Sequence, residues 1–269
     1  MRVKKYLPSL ITLTNLFLGF LSILYVQRGE LNLSCQLILI AALLDSFDGK
    51  LARKIGVSSS FGKEIDSLAD VVSFCLAPSF LVFNILYSID LTSPTSEILF
   101  IYIAIIASFP VLMGAIRLAR FNVEHNEENI QEYYIGLPTP MAAIAMCSII
   151  LIQLQLSNLN LVYINSHFFN FNILLPSIIL LSFLMIGKLQ FSKFPLLSFS
   201  KGRKNSIRLI LMFVSLIILG VSSIFGFLYI TLFLFSTYYI FSNILFHFIN
   251  NSIRLNKLKA RLINKKRTL

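Results

Sequence analysis

LLDSFDGKLARKIGVSSSFGKEIDSLADVVSF, residues 43–74, places four aspartates, Asp45, Asp48, Asp66 and Asp70, between two apolar runs of membrane-spanning length. An intramembrane carboxylate costs roughly 3 kcal/mol or more, so these acids must face a wet cavity or a counter-ion. Asp45 and Asp48 are three residues apart and Asp66 and Asp70 four apart; on helices, either spacing puts both side chains on one face. The turn from Lys54 to Phe61 is only eight residues long. The segment therefore predicts two antiparallel membrane helices with both acidic pairs converging near one interface.

The rest of the chain fits that setting. Of 269 residues, 57% are hydrophobic and 13% charged, and the mean hydropathy is +0.80. A soluble domain carries about 25% charged residues, which excludes an ordinary water-soluble globule. Apolar runs near 8–26, 33–52, 68–87, 98–119, 138–156, 171–187, 207–224 and 227–248 are each long enough to cross a hydrocarbon core about 30 Å thick. The expected fold is an all-α polytopic membrane protein with about eight transmembrane helices. The first run follows the basic stretch Met-Arg-Val-Lys-Lys, yet no small-x-small cleavage motif ends it, and it is expected to be retained.

The formal net charge of +11 raises the question of nucleic acid, but the Lys and Arg residues sit between alternate runs, with Arg28 alone on the other side. The excess therefore reads as topology plus attraction to anionic lipid, with both termini cytoplasmic and no nucleic-acid partner. Cys35, Cys75 and Cys147 lie in or beside apolar runs without paired spacing, so neither a disulfide framework nor a zinc site is expected. His125, His167 and His247 share no face. With no internal repeat, residues 1–250 read as one membrane-embedded domain and 251–269 as a basic cytoplasmic tail.

Four acids this close together repel one another and need compensating positive charge. All-oxygen ligation suits a hard divalent cation, and four carboxylates suffice for two ions clamping a diphosphate. Gly49 and Gly62 remove side chains where a ligand would approach the backbone. Arg53, about two turns beyond Asp45, has a guanidinium suited to phosphate, and Ala52 beside it leaves space. The plainer alternative, acids balancing Lys50, Arg53, Lys54 and Lys63, would serve for one aspartate; it is a poor account of two facing pairs in a chain with 12 acidic residues.

Asp45, Asp48, Gly49, Ala52, Arg53, Gly62, Asp66 and Asp70 match D-x2-D-G-x2-A-R-x8-G-x3-D-x3-D at every fixed position. That pattern resembles the signature of the CDP-alcohol phosphatidyltransferase family. LITLTNLFLGF at 10–20, FGKEIDSLADVVSF at 61–74, RLARFN at 117–122, GLPTP at 136–140 and LMIGKLQFSKFP at 184–195 are similar to its phosphatidylserine synthase branch, with Cys75 standing where a glycine is usual. The resemblance implies a six-helix catalytic core, here extended to eight, in a homodimer of the cell membrane whose active site faces the cytoplasm. It implies CDP-diacylglycerol and L-serine as substrates and a divalent metal, Mg²⁺ or Mn²⁺, as one ion or two. Asp45, Asp48, Asp66 and Asp70 would ligate the metal, Asp70 would also act as catalytic base, and Gly49, Ala52, Arg53 and Gly62 would line the CDP-lipid site.

The acceptor is read from a second constellation. Arg117 and Arg120 share a helix face at the cytoplasmic end of their run. By position alone they anchor that helix; the RLARFN resemblance assigns them, with Asn122, to the serine carboxylate. Glu124, Glu127, Glu128 and Glu132 follow in a loop suited to favouring an ammonium-bearing acceptor. GLPTP adds Thr139 to the serine set, although its prolines also suit an ordinary helix start. Thr12 and Asn15 would bond either a neighbouring helix or the nucleotide, and are grouped with the CDP-lipid site. Transfer to choline, inositol phosphate or glycerol phosphate, or from an archaeal ether lipid, is the alternative within this chemistry. A cation-coupled transporter is the alternative outside it, disfavoured because the acids cluster at one interface and broken inverted repeats are not apparent.

Overall fold

The computed structural model describes residues 3–55, 60–87, 96–124, 133–158, 170–192 and 203–267; at several helix ends, among them 48–55 and 250–267, it describes the backbone alone. In chain order the elements are α1 (Val3–Gln27), α2 (Leu31–Ile55), α3 (Ser60–Asp70), a π-helical turn (Val71–Leu76), α4 (Ala77–Tyr87) and α5 (Ser96–Glu124). They continue with β1 (Tyr133–Ile135), α6 (Thr139–Asn158), a second π-helical turn (Asn170–Leu174), α7 (Leu175–Ile186), β2 (Gln190–Ser192), α8 (Arg203–Ile224) and α9 (Leu228–Arg267). Each π-helical turn is continuous with its neighbours, so the described residues form eight helical rods, one per apolar run of the sequence.

Five rods contain stretches long and apolar enough to cross a membrane: Ser9–Gln27, Phe61–Tyr87, Glu97–Val123, Thr139–Leu156 and Leu228–Ile249. The stretches Leu31–Phe47, Asn172–Ile186 and Phe213–Ile224 are shorter. The α2 helix continues past Phe47 to Ile55. This is a polytopic, multi-pass membrane protein. Its lipid-compatible surface is plain on α5 and α8, where Ile98, Ile101, Ile105, Leu112, Phe213 and Ile217 are exposed. So large an apolar surface suits a hydrocarbon solvent.

The all-α expectation needs one addition. β1 and β2 pair antiparallel, with Tyr133 opposite Ser192, Tyr134 opposite Phe191 and Ile135 opposite Gln190. Three-residue strands are too short to display an alternating pattern, so periodicity could not reveal them.

Local chemistry explains the joints. Gly29, at φ 77°, closes the α1–α2 hairpin, where its amide bonds the Val26 carbonyl at 3.0 Å and the Glu30 amide bonds the Tyr25 carbonyl at 3.0 Å. A left-handed residue at a helix end costs glycine little. Inside that hairpin the hydroxyls of Ser22 and Ser34 bond at 2.8 Å, a polar contact between two small residues that lets the helices lie close. Each π-helical turn has a proline two residues beyond it, Pro78 and Pro176. Proline has no amide hydrogen to continue the ladder, and in the first case the Ala77 amide bonds Val72 five residues back, so the register shifts just ahead of the break.

The core is centred on α6. Met141, Ala142, Ala143, Met146, Ile150 and Leu151 are buried there, with Ile38 of α2, Leu81 of α4, Ile178 of α7 and Phe74 of the π-helical turn. The small residues of α6 bring its N-terminus, and so Thr139, against the end of α3.

Candidate active site

Asp45 of α2 and Asp66 and Asp70 of α3 each bring one carboxylate oxygen to within 4.8 Å of the others. The i, i+4 spacing gives α3 its pair, while α2 returns from the α1 hairpin to supply Asp45. Asp45 and Asp66 are half-buried, and Asp70 is buried at the junction with the π-helical turn. That junction is braced by α1, because Ser73 Oγ donates to the Asn15 carbonyl at 2.9 Å. Gly19 permits the approach, since a Cβ there would collide with Ser73.

Thr139, the first residue of α6, donates its hydroxyl to Asp70 Oδ2 at 3.1 Å. Asp70 Oδ1 is buried with no hydrogen-bond donor among the described residues, and Arg117 Nε and both amide atoms of Asn15 likewise have no partner there. Arg117 of α5 is only 6% exposed, and its charge interacts with Asp70 and Tyr134. Orphaned buried polar atoms cost about 1–3 kcal/mol each. The orphaned atoms of Asp70 and Arg117, whose charges act on one another, mark a place suited to a polar ligand. Three converging carboxylate oxygens, with no His or Cys among them, fit a hard divalent cation, and an unpartnered Asp70 oxygen is available as one ligand.

The other expected residues fall into three groups. Thr12 is buried on α1 and has polar interactions of its own, and Gly62 lies near the start of α3, half-buried. Arg120 is committed to backbone: Nη1 donates to the Ile186 carbonyl at 2.9 Å and Nη2 to the Ile135 carbonyl at 3.1 Å, tying α5 to the ends of α7 and β1. Asn122 is tied to α3, accepting from Ser67 Oγ at 3.1 Å and donating to Glu64 Oε2 at 3.5 Å. Asp48, Gly49, Ala52 and Arg53 lie in the last turns of α2 with side chains outside the described residues, as are the Glu124 side chain, Glu127, Glu128 and Glu132.

Sequence reasoning missed Tyr134, Ser73 and Gly136. Gly136, at φ 80°, turns the chain from β1 towards Thr139, and a Cβ there would strike the Met185 carbonyl and crowd Arg120. The glycine inside GLPTP was the available signal. Tyr134 offered none, because only the β1–β2 pairing brings it near Arg117.

A polytopic helical membrane protein whose polar site joins three carboxylates to a buried arginine is thus the class that fold and site define. The chain belongs to the CDP-alcohol phosphatidyltransferase family, whose pattern matches residues 5–183. That match spans the first six rods and ends within α7, leaving β2, α8 and α9 beyond it. Among similar proteins, a CDP-diacylglycerol–serine O-phosphatidyltransferase of Helicobacter pylori is 37% identical over 147 residues, 54% of this chain and 57% of its own length. An archaetidylserine synthase of Methanothermobacter thermautotrophicus is 40% identical over 148 residues, 54% of this chain and 58% of its own. A CDP-diacylglycerol–serine O-phosphatidyltransferase of Bacillus subtilis is 33% identical over 148 residues, 54% of this chain and 75% of its own. The chain spans little more than half the length of the first two.

Proposed function

We propose that this protein transfers a phosphatidyl group from CDP-diacylglycerol to the hydroxyl of L-serine, giving phosphatidylserine and CMP, at the cytoplasmic face of the cell membrane. The observation that carries the reading is the convergence of Asp45, Asp66 and Asp70 beside the buried Arg117. The named activities of the relatives support the choice of serine.

In this reading Asp45, Asp66 and Asp70, with Asp48 one turn along α2, hold one or two Mg²⁺ or Mn²⁺ ions. A divalent cation, when bound, neutralises the diphosphate and eases departure of CMP. Asp70 takes the proton of the serine hydroxyl as its oxygen bonds the lipid-proximal phosphorus and the bond from that phosphorus to the CMP oxygen breaks. Thr139 fixes the rotamer of Asp70 by holding Oδ2. Arg117 binds the serine carboxylate, while Gly49, Ala52, Arg53 and Gly62, with Thr12 and Asn15, line the CDP-lipid site. Arg120 and Asn122 serve the acceptor indirectly, by anchoring the elements around it.

An acceptor panel tests this. Purified protein in mixed micelles with CDP-diacylglycerol and Mg²⁺ is expected to release CMP at least about 100-fold faster with serine than with choline, inositol phosphate or glycerol phosphate, since choline leaves the buried Arg117 charge unpaired and either phosphate brings a second negative charge towards the carboxylates. Faster release with any of those three alcohols would overturn the assignment. The archaetidylserine synthase relative motivates one further arm, an ether-linked CDP-archaeol donor. Serine-dependent turnover there would broaden the donor class without changing the acceptor.

A further inference from the structure

The last helix, which lies beyond the family match, makes a row of contacts to β2 that the proposed chemistry does not use. Tyr239, Asn243 and His247 stand four residues apart on α9, on one face of the helix. Each bonds the backbone of β2. Tyr239 donates its hydroxyl to the Ser192 carbonyl at 3.0 Å, Asn243 Oδ1 accepts from the Ser192 amide at 2.8 Å, and His247 Nδ1 accepts from the Gln190 amide at 3.3 Å. Asn243 is 6% exposed and its own Nδ2 is held by the Tyr239 carbonyl at 2.7 Å, so the acceptor oxygen is fixed in place. The Tyr239 ring also stacks on the buried Phe191 at 6.0 Å.

Gln190 is exposed and Ser192 half-buried, opposite Ile135 and Tyr133 of β1, while Phe191 between them is buried opposite Tyr134. A two-stranded ribbon leaves unpaired amides and carbonyls on its free edge, at a cost in a low-dielectric setting. Three side chains of one helix satisfy them in place of a third strand.

The ribbon leads to the acceptor half of the site. β1 carries Tyr134 and passes through Gly136 to Thr139 on Asp70. The Gly136 amide bonds the Leu189 carbonyl at 2.8 Å and the Leu137 amide the Leu184 carbonyl at 2.9 Å, so the strand connection follows the ribbon closely. Arg120 pins it from α5 through the Ile135 and Ile186 carbonyls.

We infer that Tyr239, Asn243 and His247 are positioning residues for the acceptor pocket, holding the β1–β2 ribbon that leads through Gly136 to Thr139. The inference rests on the proposed transfer to serine. Its experiment measures KM for serine and for CDP-diacylglycerol in full-length Asn243→Leu, Tyr239→Phe and the conservative His247→Asn, whose amide oxygen replaces Nδ1. Asn243→Leu is expected to raise the serine KM about tenfold and Tyr239→Phe about fivefold, with the donor KM within about twofold; His247→Asn should stay near wild type.

A general loss of structure would lower kcat and raise both KM values together, and that pattern overturns the inference, as does an unchanged serine KM in a folded Asn243→Leu protein. A second variant keeps the test independent of folding. Ser236→Ala lies on the same helix and removes a hydroxyl whose bond among the described residues is to the Phe233 carbonyl of that helix, and it should leave both KM values unchanged. Wild-type protein without serine-dependent turnover would instead count against the proposed function, and is a separate outcome.

Discussion

Asp70→Asn is expected to lower kcat for CMP release by about 10³-fold or more while the protein still binds CDP-diacylglycerol. General-base catalysis contributes roughly 10² to 10⁴ in rate, and asparagine retains the shape of the side chain and an oxygen for the Thr139 hydroxyl while losing the ability to accept a proton. Asp45 and Asp66 remain to hold a cation, so donor binding followed by calorimetry should weaken by about tenfold at most. The separation between binding and turnover is the informative result. A variant with kcat within tenfold of wild type would remove Asp70 from the role of base.

Replacing Arg117 should give the second largest effect, on a different parameter. Its guanidinium is buried, interacts with Asp70, and has an Nε with no partner among the described residues. Truncating one partner of a buried, hydrogen-bonded charge pair costs about 2–5 kcal/mol, so Arg117→Ala should raise the serine KM by about 100-fold or more and the donor KM far less. Added guanidinium should restore part of the rate, since it refills the cavity with the same charge. Arg120→Ala is the contrast: its nitrogens hold the Ile135 and Ile186 carbonyls, so its removal acts on the ribbon's stability before it acts on serine binding. A donor KM that rises more than the serine KM in Arg117→Ala would assign that residue to the lipid side.

The sequence made the eight rods legible because membrane helices write their length in composition. The predicted runs 98–119 and 207–224 fall within Ser96–Glu124 and Arg203–Ile224, and the run 138–156 starts one residue ahead of Thr139–Asn158. The acidic cluster was legible for a related reason: carboxylates are costly in hydrocarbon, so Asp45, Asp66 and Asp70 stood out and their helical spacing implied convergence. Its outer members, Asp48 and Arg53, have side chains beyond the described residues.

What stayed hidden was tertiary. Thr139 read equally well as a helix-start residue or a ligand contact, and only the packing of α6 against α3 shows its bond to Asp70. Arg120 and Arg117 looked equivalent by spacing, yet one bonds backbone carbonyls while the other is buried with its Nε unpartnered among the described residues. The difference arises from β1, a strand too short to leave a pattern. The π-helical turn after Asp70 was similarly silent, although Pro78 was a local reason for it.

The central claim is that the carboxylates of α2 and α3 form a divalent-cation site for phosphatidyl transfer, and the most direct measurement is the rate of CMP release titrated with Mg²⁺ or Mn²⁺ after chelation. Serine and CDP-diacylglycerol are held saturating, and wild type is compared with Asp66→Asn. The account predicts no turnover in excess chelator, saturable recovery on adding either ion to wild type, and a curve for Asp66→Asn shifted about tenfold or more to higher cation concentration, as expected when one carboxylate ligand is lost. Undiminished serine-dependent CMP release in excess chelator, or an Asp66→Asn titration that overlays wild type, would contradict it.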